Sequence, residues 1–247
     1  MLYTTDQGSG TEILWIHGYP LSSRIFAKQL EIPGVRHIVP DLPGFGRSAT
    51  PDHDMTVDDY ARALLKLLGE RKVQRAYVAG LSMGGYIALA LARLVPERMR
   101  GLILIDTKET ADTPEARQGR YESVEKVKSA GVRPVVDAML PKMLMPSAPL
   151  SLVEEVRAIM TSSTAAGVMT ALKAMAERPD STALLPHLDM RTLVIVGDGD
   201  TITPPADAAR MAAAIPNAKL VTIESAAHLS NMEKPDEFNK AVQLFVT

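Results

Sequence analysis

The chain has 247 residues, enough to bury one large core, or one core carrying an insertion. Hydrophobic residues make up 46% and charged residues 23%, and the formal net charge is −2 with no basic cluster. That balance argues against nucleic acid as a partner, and the lack of cysteine excludes disulfides, thiol chemistry and cysteine-based zinc sites.

The N-terminus has neither a basic n-region nor an apolar h-region. The most apolar helical stretch, Tyr86 to Val95, is interrupted by Arg93 and is too short to span a bilayer. A cytoplasmic protein with no membrane partner is therefore expected. Short β-branched runs alternate with amphipathic stretches, the pattern of a mostly parallel sheet flanked by helices. The first candidate strand is residues 2–5 and the second is 13–16. The second runs into His17-Gly18-Tyr19-Pro20, where a backbone N–H just past the glycine, that of Tyr19, is a candidate oxyanion donor. His17 itself reads as a structural histidine packing the loop.

A third strand is expected at 37–39, and a helix over 57–68 behind Thr56 as its N-cap. Strand 76–79 then runs straight into Gly80-Leu81-Ser82-Met83-Gly84-Gly85 and a helical pattern over 83–94 that stops before Pro96. A serine on a tight strand-to-helix turn is pushed clear of the sheet, with glycines on either side relieving the crowding. The new helix aims its first N–H groups at developing negative charge. Ser82 is thus the candidate nucleophile, and the Met83 N–H the second candidate oxyanion donor.

Strand 102–105 ends on Asp106, after which the alternation lapses over 107–185. That segment offers four helices, with apolar stripes such as Val135, Val136, Met139, Leu140 and Met143, and prolines between them. It reads as a helical lid on a core formed by 1–106 and 186–247. Met139, Met143, Met160 and Leu172 are candidate pocket residues, because methionine adapts to varied acyl shapes. No charged residue stands out as a substrate clamp, so selectivity is expected to come from apolar fit. Strands at 193–196 and 220–223 and a closing helix over 236–245 complete the chain. His228 lies on the loop after the last strand, where a general base reaches across to the serine. His37, at a strand start, His53, in a polar loop, and His187, near the lid's return, are poorer candidates.

The chain resembles the α/β-hydrolases of the esterase, enol-lactonase and cofactor-free haloperoxidase type. The residues that carry the resemblance are His17-Gly18-Tyr19-Pro20, Asp41-Leu42-Pro43-Gly44-Phe45-Gly46-Arg47-Ser48, the Ser82 turn, Gly197-Asp198-Gly199-Asp200-Thr201-Ile202-Thr203-Pro204, Ala227-His228 and Glu233-Lys234-Pro235. The resemblance implies a sheet of seven to eight strands, since the chain starts almost on the family's second strand. It implies Asp200 as the triad acid, with Asp198 and Asp106 as alternatives. It also implies carboxylic ester cleavage by Ser82, His228 and Asp200 without cofactor or metal. Lactonase and perhydrolase activity, or a hydrolase-fold ligand receptor, are the other readings.

Overall fold

The structure, a computed structural model, describes residues 2–247. Its centre is a seven-stranded sheet in the order β1-β3-β2-β4-β5-β6-β7. The strands are β1 (Thr4–Gly8), β2 (Thr11–Ile16), β3 (Val35–Pro40), β4 (Ala76–Leu81), β5 (Met99–Ile105), β6 (Thr192–Gly197) and β7 (Ala218–Ile223). All neighbours pair in parallel except β1, which runs antiparallel to β3 at the edge. The helices are α1 (Val57–Glu70), α2 (Met83–Leu94), α3 (Pro114–Ala130), α4 (Arg133–Met143), α5 (Leu150–Thr161), α6 (Ala165–Ala176), α7 (Pro205–Ala214), α8 (Ser230–Glu233) and α9 (Pro235–Val246). Among the described residues, no helix is long and apolar enough to cross a membrane.

The central strands β4 and β6 are buried along their whole length, which is why they read as continuous apolar runs. Period-two alternation divides the side chains of the sheet between two cores, as β2 shows. Leu14 and Ile16 pack on one face with Tyr60 and Phe45, whereas Ile13 and Trp15 pack on the other with Phe26 and Phe238. Thr56 caps α1 through a reciprocal pair: its Oγ1 accepts the Asp59 N–H at 3.2 Å, and its own N–H donates to Asp59 Oδ2 at 3.0 Å.

The first strand differs from the expected 2–5 and runs instead over Thr4–Gly8. Leu2 and Tyr3 drew the expectation by their apolar character. At an exposed edge, polar residues serve as well, and Asp6 is fixed there by Arg36 at 2.9 Å and Arg71 at 3.3 Å. A 3-10 segment over Ser23–Glu31, which the periodicity did not show, buries Ile25 and Phe26 against Trp15. Helices α3 to α6 lie between β5 and β6 in the chain, yet those two strands pair directly, Leu102 to Thr192 through Ile105 to Ile195.

Candidate active site

The loops that follow β2, β4, β6 and β7 meet at the carboxyl edge of the sheet, where open α/β sheets bind their ligands. Ser82 stands between β4 and α2 with φ 55° and ψ −115°. A serine in that region is strained, and the strain turns the chain sharply enough to lift Oγ off the sheet. Neighbouring groups hold the turn in place. The Ser82 N–H donates to the Ile105 carbonyl at 2.9 Å, and the Ser82 carbonyl accepts the Gly85 N–H and the Thr107 hydroxyl, each at 2.8 Å.

Glycine is needed on both sides of the serine. A Cβ on Gly80 would collide with the Gly84 carbonyl, and one on Gly84 with the Ile16 carbonyl. Gly84→Ala is therefore expected to destabilise the fold by about 1–3 kcal/mol, as overpacking does. Urea denaturation checks this as a lower midpoint at unchanged slope. A variant as stable as the parent would show that α2 does not need to approach β2 so closely.

His228 occupies the loop between β7 and α8 and faces the serine. Its Nε2 lies 2.9 Å from Ser82 Oγ, and its Nδ1 lies 2.8 Å from Asp200 Oδ2. Histidine and aspartate are 1% and 3% exposed, so the row is shielded from water on the acid side. Asp200 is itself anchored: Oδ1 accepts the N–H groups of Ile202 at 2.8 Å and Thr203 at 3.0 Å, and Oδ2 accepts the Thr203 hydroxyl at 2.7 Å. Burial works against the Asp200 carboxylate, but His228 and the Thr203 donors outweigh it and hold the carboxyl below its ordinary range. Burial likewise works against a charged His228. The hydrogen bond and charge of Asp200 outweigh that too, holding the imidazole above the usual histidine value.

The loop after β2 is pressed against the serine, since a Cβ on Gly18 would sit 3.1 Å from the Ser82 Cβ. His17 braces this loop: Nε2 accepts the Leu42 N–H at 2.9 Å, and Nδ1–H donates to the Gly18 carbonyl at 2.9 Å. Complete burial pushes its pKa down to about 4, so it is neutral near pH 7. Tyr19 follows at once in the chain, and Met83 opens α2 on the other side of Ser82.

A family model described as alpha/beta hydrolase fold matches residues 12–235. This chain belongs to the α/β-hydrolase family. A thermophilic esterase from Thermogutta terrifontis superposes on it with a TM-score of 0.96 at 38% identity, over 98% of this chain and 92% of that one. The enol-lactonase from Burkholderia xenovorans LB400 superposes with a TM-score of 0.92 at 26% identity, over 99% and 95%. In sequence, 3-oxoadipate enol-lactonase 2 from Acinetobacter baylyi is 29% identical over 207 residues, 82% of this chain and 75% of its own length. The resemblance to esterases and enol-lactonases that the motifs carry is thus present along the whole fold.

This α/β-hydrolase has two more acids close to the Ser82–His228–Asp200 row, and neither bonds to the histidine. Asp106 is fully buried and accepts the Gly197 N–H at 2.9 Å, the Ser230 N–H at 3.2 Å and the Ser230 hydroxyl at 2.6 Å. Burial and the charge of Asp200 push its pKa up to about 7, against the pull of His228, Ser230 and Gly197. Asp198 accepts the Ala226 N–H at 3.3 Å and orients the loop ahead of the histidine. Two supporting residues lie in motifs of the sequence but have no role assigned there. Thr203, three positions past Asp200, has a visible signal in the Asp-Thr-Ile-Thr turn, where a short acid bonds its own backbone ahead. For the role of Glu233 there is none. It accepts the Met145 N–H at 2.8 Å and the Ala227 N–H at 2.6 Å, tying the segment after α4 to the loop of His228.

Of the four candidate pocket residues, Met139 and Leu172 line a cleft of about 300 Å³ that Tyr19 also walls. Met143 and Met160 do not line it. Both are 0% exposed and lie in the core cluster of Trp15 and Phe26. Met143 ends α4 one turn beyond Met139, where the chain is already drawn down to the sheet edge by the bond from the Leu229 N–H to the Met143 carbonyl at 3.1 Å. Among the described residues, no group of His, Asp and Glu is placed to hold a metal ion.

Proposed function

We propose that this α/β-hydrolase cleaves small carboxylic esters of short to medium acyl chain through an acyl-enzyme on Ser82. The observation that carries the proposal is the unbroken row from Ser82 Oγ through His228 to Asp200, at 2.9 and 2.8 Å. His228 Nε2 takes the serine proton as Oγ attacks the ester carbonyl. Asp200 keeps the proton on Nδ1 and stabilises the imidazolium that forms. The N–H groups of Tyr19 and Met83 receive the tetrahedral oxyanion, supported by the positive end of α2. His228 then returns the proton to the departing alcohol. Water, activated by the same imidazole, releases the acid and regenerates Ser82 Oγ–H.

A lactone is a cyclic ester and would pass through the same steps with the alcohol still tethered. The likeness to two enol-lactonases favours including that class. Helices α3 to α6 act in this proposal as a cap that bounds the acyl group, with Met139 and Leu172 on the wall of its cleft. Apolar walls discriminate by about 1–3 kcal/mol per methylene, which gives a broad profile. Measured kcat/KM over acetyl to palmitoyl esters, with lactones in parallel, is expected to peak at short to medium chains. A profile that rises to palmitoyl would overturn the proposed chain-length range. A catalyst that turns over only once would point to a receptor.

A further inference from the structure

The helices between β5 and β6 bring positive charge to a place where the sequence showed none. The cleft of about 300 Å³ is walled by Tyr19, Arg120, Lys126, Val135, Met139 and Leu172, among others. No acidic side chain stands among the described residues that line it. Arg120 arrives on α3 with its side chain 23% exposed. Its Nε and Nη2 both go to Asp112. Its Nη1 has only the sulfur of Met175 at 3.4 Å, a weak acceptor.

Asp112 is not free to neutralise Arg120 fully. It also pairs with Arg178 at 2.8 Å, both side chains being 2% exposed. Two guanidinium groups thus share the Asp112 carboxylate, and the Asp180 carboxylate acts on Arg178 as well. The Arg178 guanidinium is occupied elsewhere, over the Tyr86 ring at 4.3 Å and on the carbonyls of Met175 and Thr110. Arg120 is the member of the pair that reaches the cleft.

Tyr19 provides the link to the chemistry. Its hydroxyl is buried with no hydrogen-bond partner, and Arg120 is the charged group that acts on it. Buried hydroxyls are nearly always bonded, so an open one marks a place for a polar group. The backbone of the same residue follows Gly18, which is packed against Ser82. One residue therefore spans from the reacting end to the charged wall.

We propose that this cleft is the acyl subsite of Ser82, and that it selects acyl groups carrying a carboxylate at the end remote from the ester, which the Arg120 guanidinium receives. The proposal rests on the ester-hydrolase reading above and narrows its substrate class. A guanidinium with one nitrogen facing a weak acceptor gains a charge-assisted hydrogen bond from such a carboxylate. An unsubstituted alkyl chain leaves that nitrogen where it is. Lys126, exposed on the same face of the cleft, adds to the field.

The test pairs esters of equal acyl length: monomethyl glutarate against methyl pentanoate, and monomethyl adipate against methyl hexanoate, followed by titration of the acid released. The half-esters are expected to be favoured in kcat/KM by about tenfold or more, the size of one charge-assisted bond. In Arg120→Gln that preference is expected to fall by about tenfold, mostly through KM, and in Lys126→Gln by a smaller factor. Free glutarate is expected to compete with methyl pentanoate. Preference for the neutral esters would overturn the proposal, as would an Arg120→Gln variant that melts like the parent and keeps its preference. If that variant does not fold, the glutarate experiment on the parent decides: competition supports the subsite and its absence overturns it. Failure to turn over any of the four esters would instead overturn the ester-hydrolase reading, and the subsite with it.

Discussion

Replacing Ser82 by alanine is expected to lower kcat on a simple ester by about six powers of ten, the scale seen when the nucleophile of such a triad is removed. The size follows from the geometry. In the proposed mechanism Oγ is the atom of the row that enters a covalent bond, and its 2.9 Å contact with His228 Nε2 carries its proton to the imidazole. The fold should be nearly unaffected, because the turn is held through the Ser82 N–H and carbonyl, which alanine retains. An organophosphonate should label the parent once and leave Ser82→Ala unlabelled. Mass spectrometry that finds the label on another residue would remove Ser82 from the role of nucleophile.

The second large effect separates two buried acids. Asp200→Asn is expected to cost on the order of 10⁴ in rate, since an amide no longer enforces the histidine tautomer that accepts the serine proton. It also removes the group that holds the His228 pKa up, so the acid limb of kcat/KM against pH should move to lower pH in the variant. Asp106→Asn should behave differently. Its Oδ2 accepts two donors from Ser230, and an amide nitrogen placed there would face at least one of them unpaired, costing about 1–3 kcal/mol of stability. The rate should fall far less, because Asp106 hydrogen-bonds to neither His228 nor Ser82 and acts on the imidazole only through its charge. Thermal melts and pH profiles of the two variants decide the matter. A neutral Asp200→Asn beside a crippled Asp106→Asn would transfer the role of acid to the end of β5.

Ser82 was legible because its whole device is contiguous: a strand, a glycine-flanked serine and a helix within one short stretch. Asp200 and Asp106 were harder to separate for a physical reason. They follow strands that are neighbours in the sheet, so both carboxylates come to the same edge, and only the direction of each side chain assigns it a partner. That direction depends on contacts with Ser230 and His228, far away in sequence. The methionines failed for a related reason. Helical period identifies an apolar stripe, as at Met139 and Met143, but not where along the stripe the helix leaves a cleft and enters the core. Arg120 was missed because a charged residue on a polar helix is normally in water. What keeps it beside the cleft is Asp112 on the preceding loop and Met175 on α6, and neither leaves a mark in the local pattern.

The direct pairing of β5 with β6 has a consequence for how this molecule can be altered. In terms of the sheet, everything from α3 to α6 is a single excursion that leaves one strand and returns to its neighbour. Lengthening or exchanging a flexible excursion costs little in closure entropy, about 0.6 kcal/mol for each doubling of its length. The strands that set Ser82, Asp200 and His228 relative to one another need no new register when that excursion changes. If helices α3 to α6 act as the proposed cap, most of the wall that meets the acyl group lies on this excursion and only Tyr19 comes from the β2 loop, so a graft between Asp106 and β6 is the place to redesign what the proposed hydrolase accepts. Such a graft must respect the cross-ties to the core, among them the bond of Glu233 to the Met145 N–H, that of the Leu229 N–H to the Met143 carbonyl and that of the Thr107 hydroxyl to the Ser82 carbonyl.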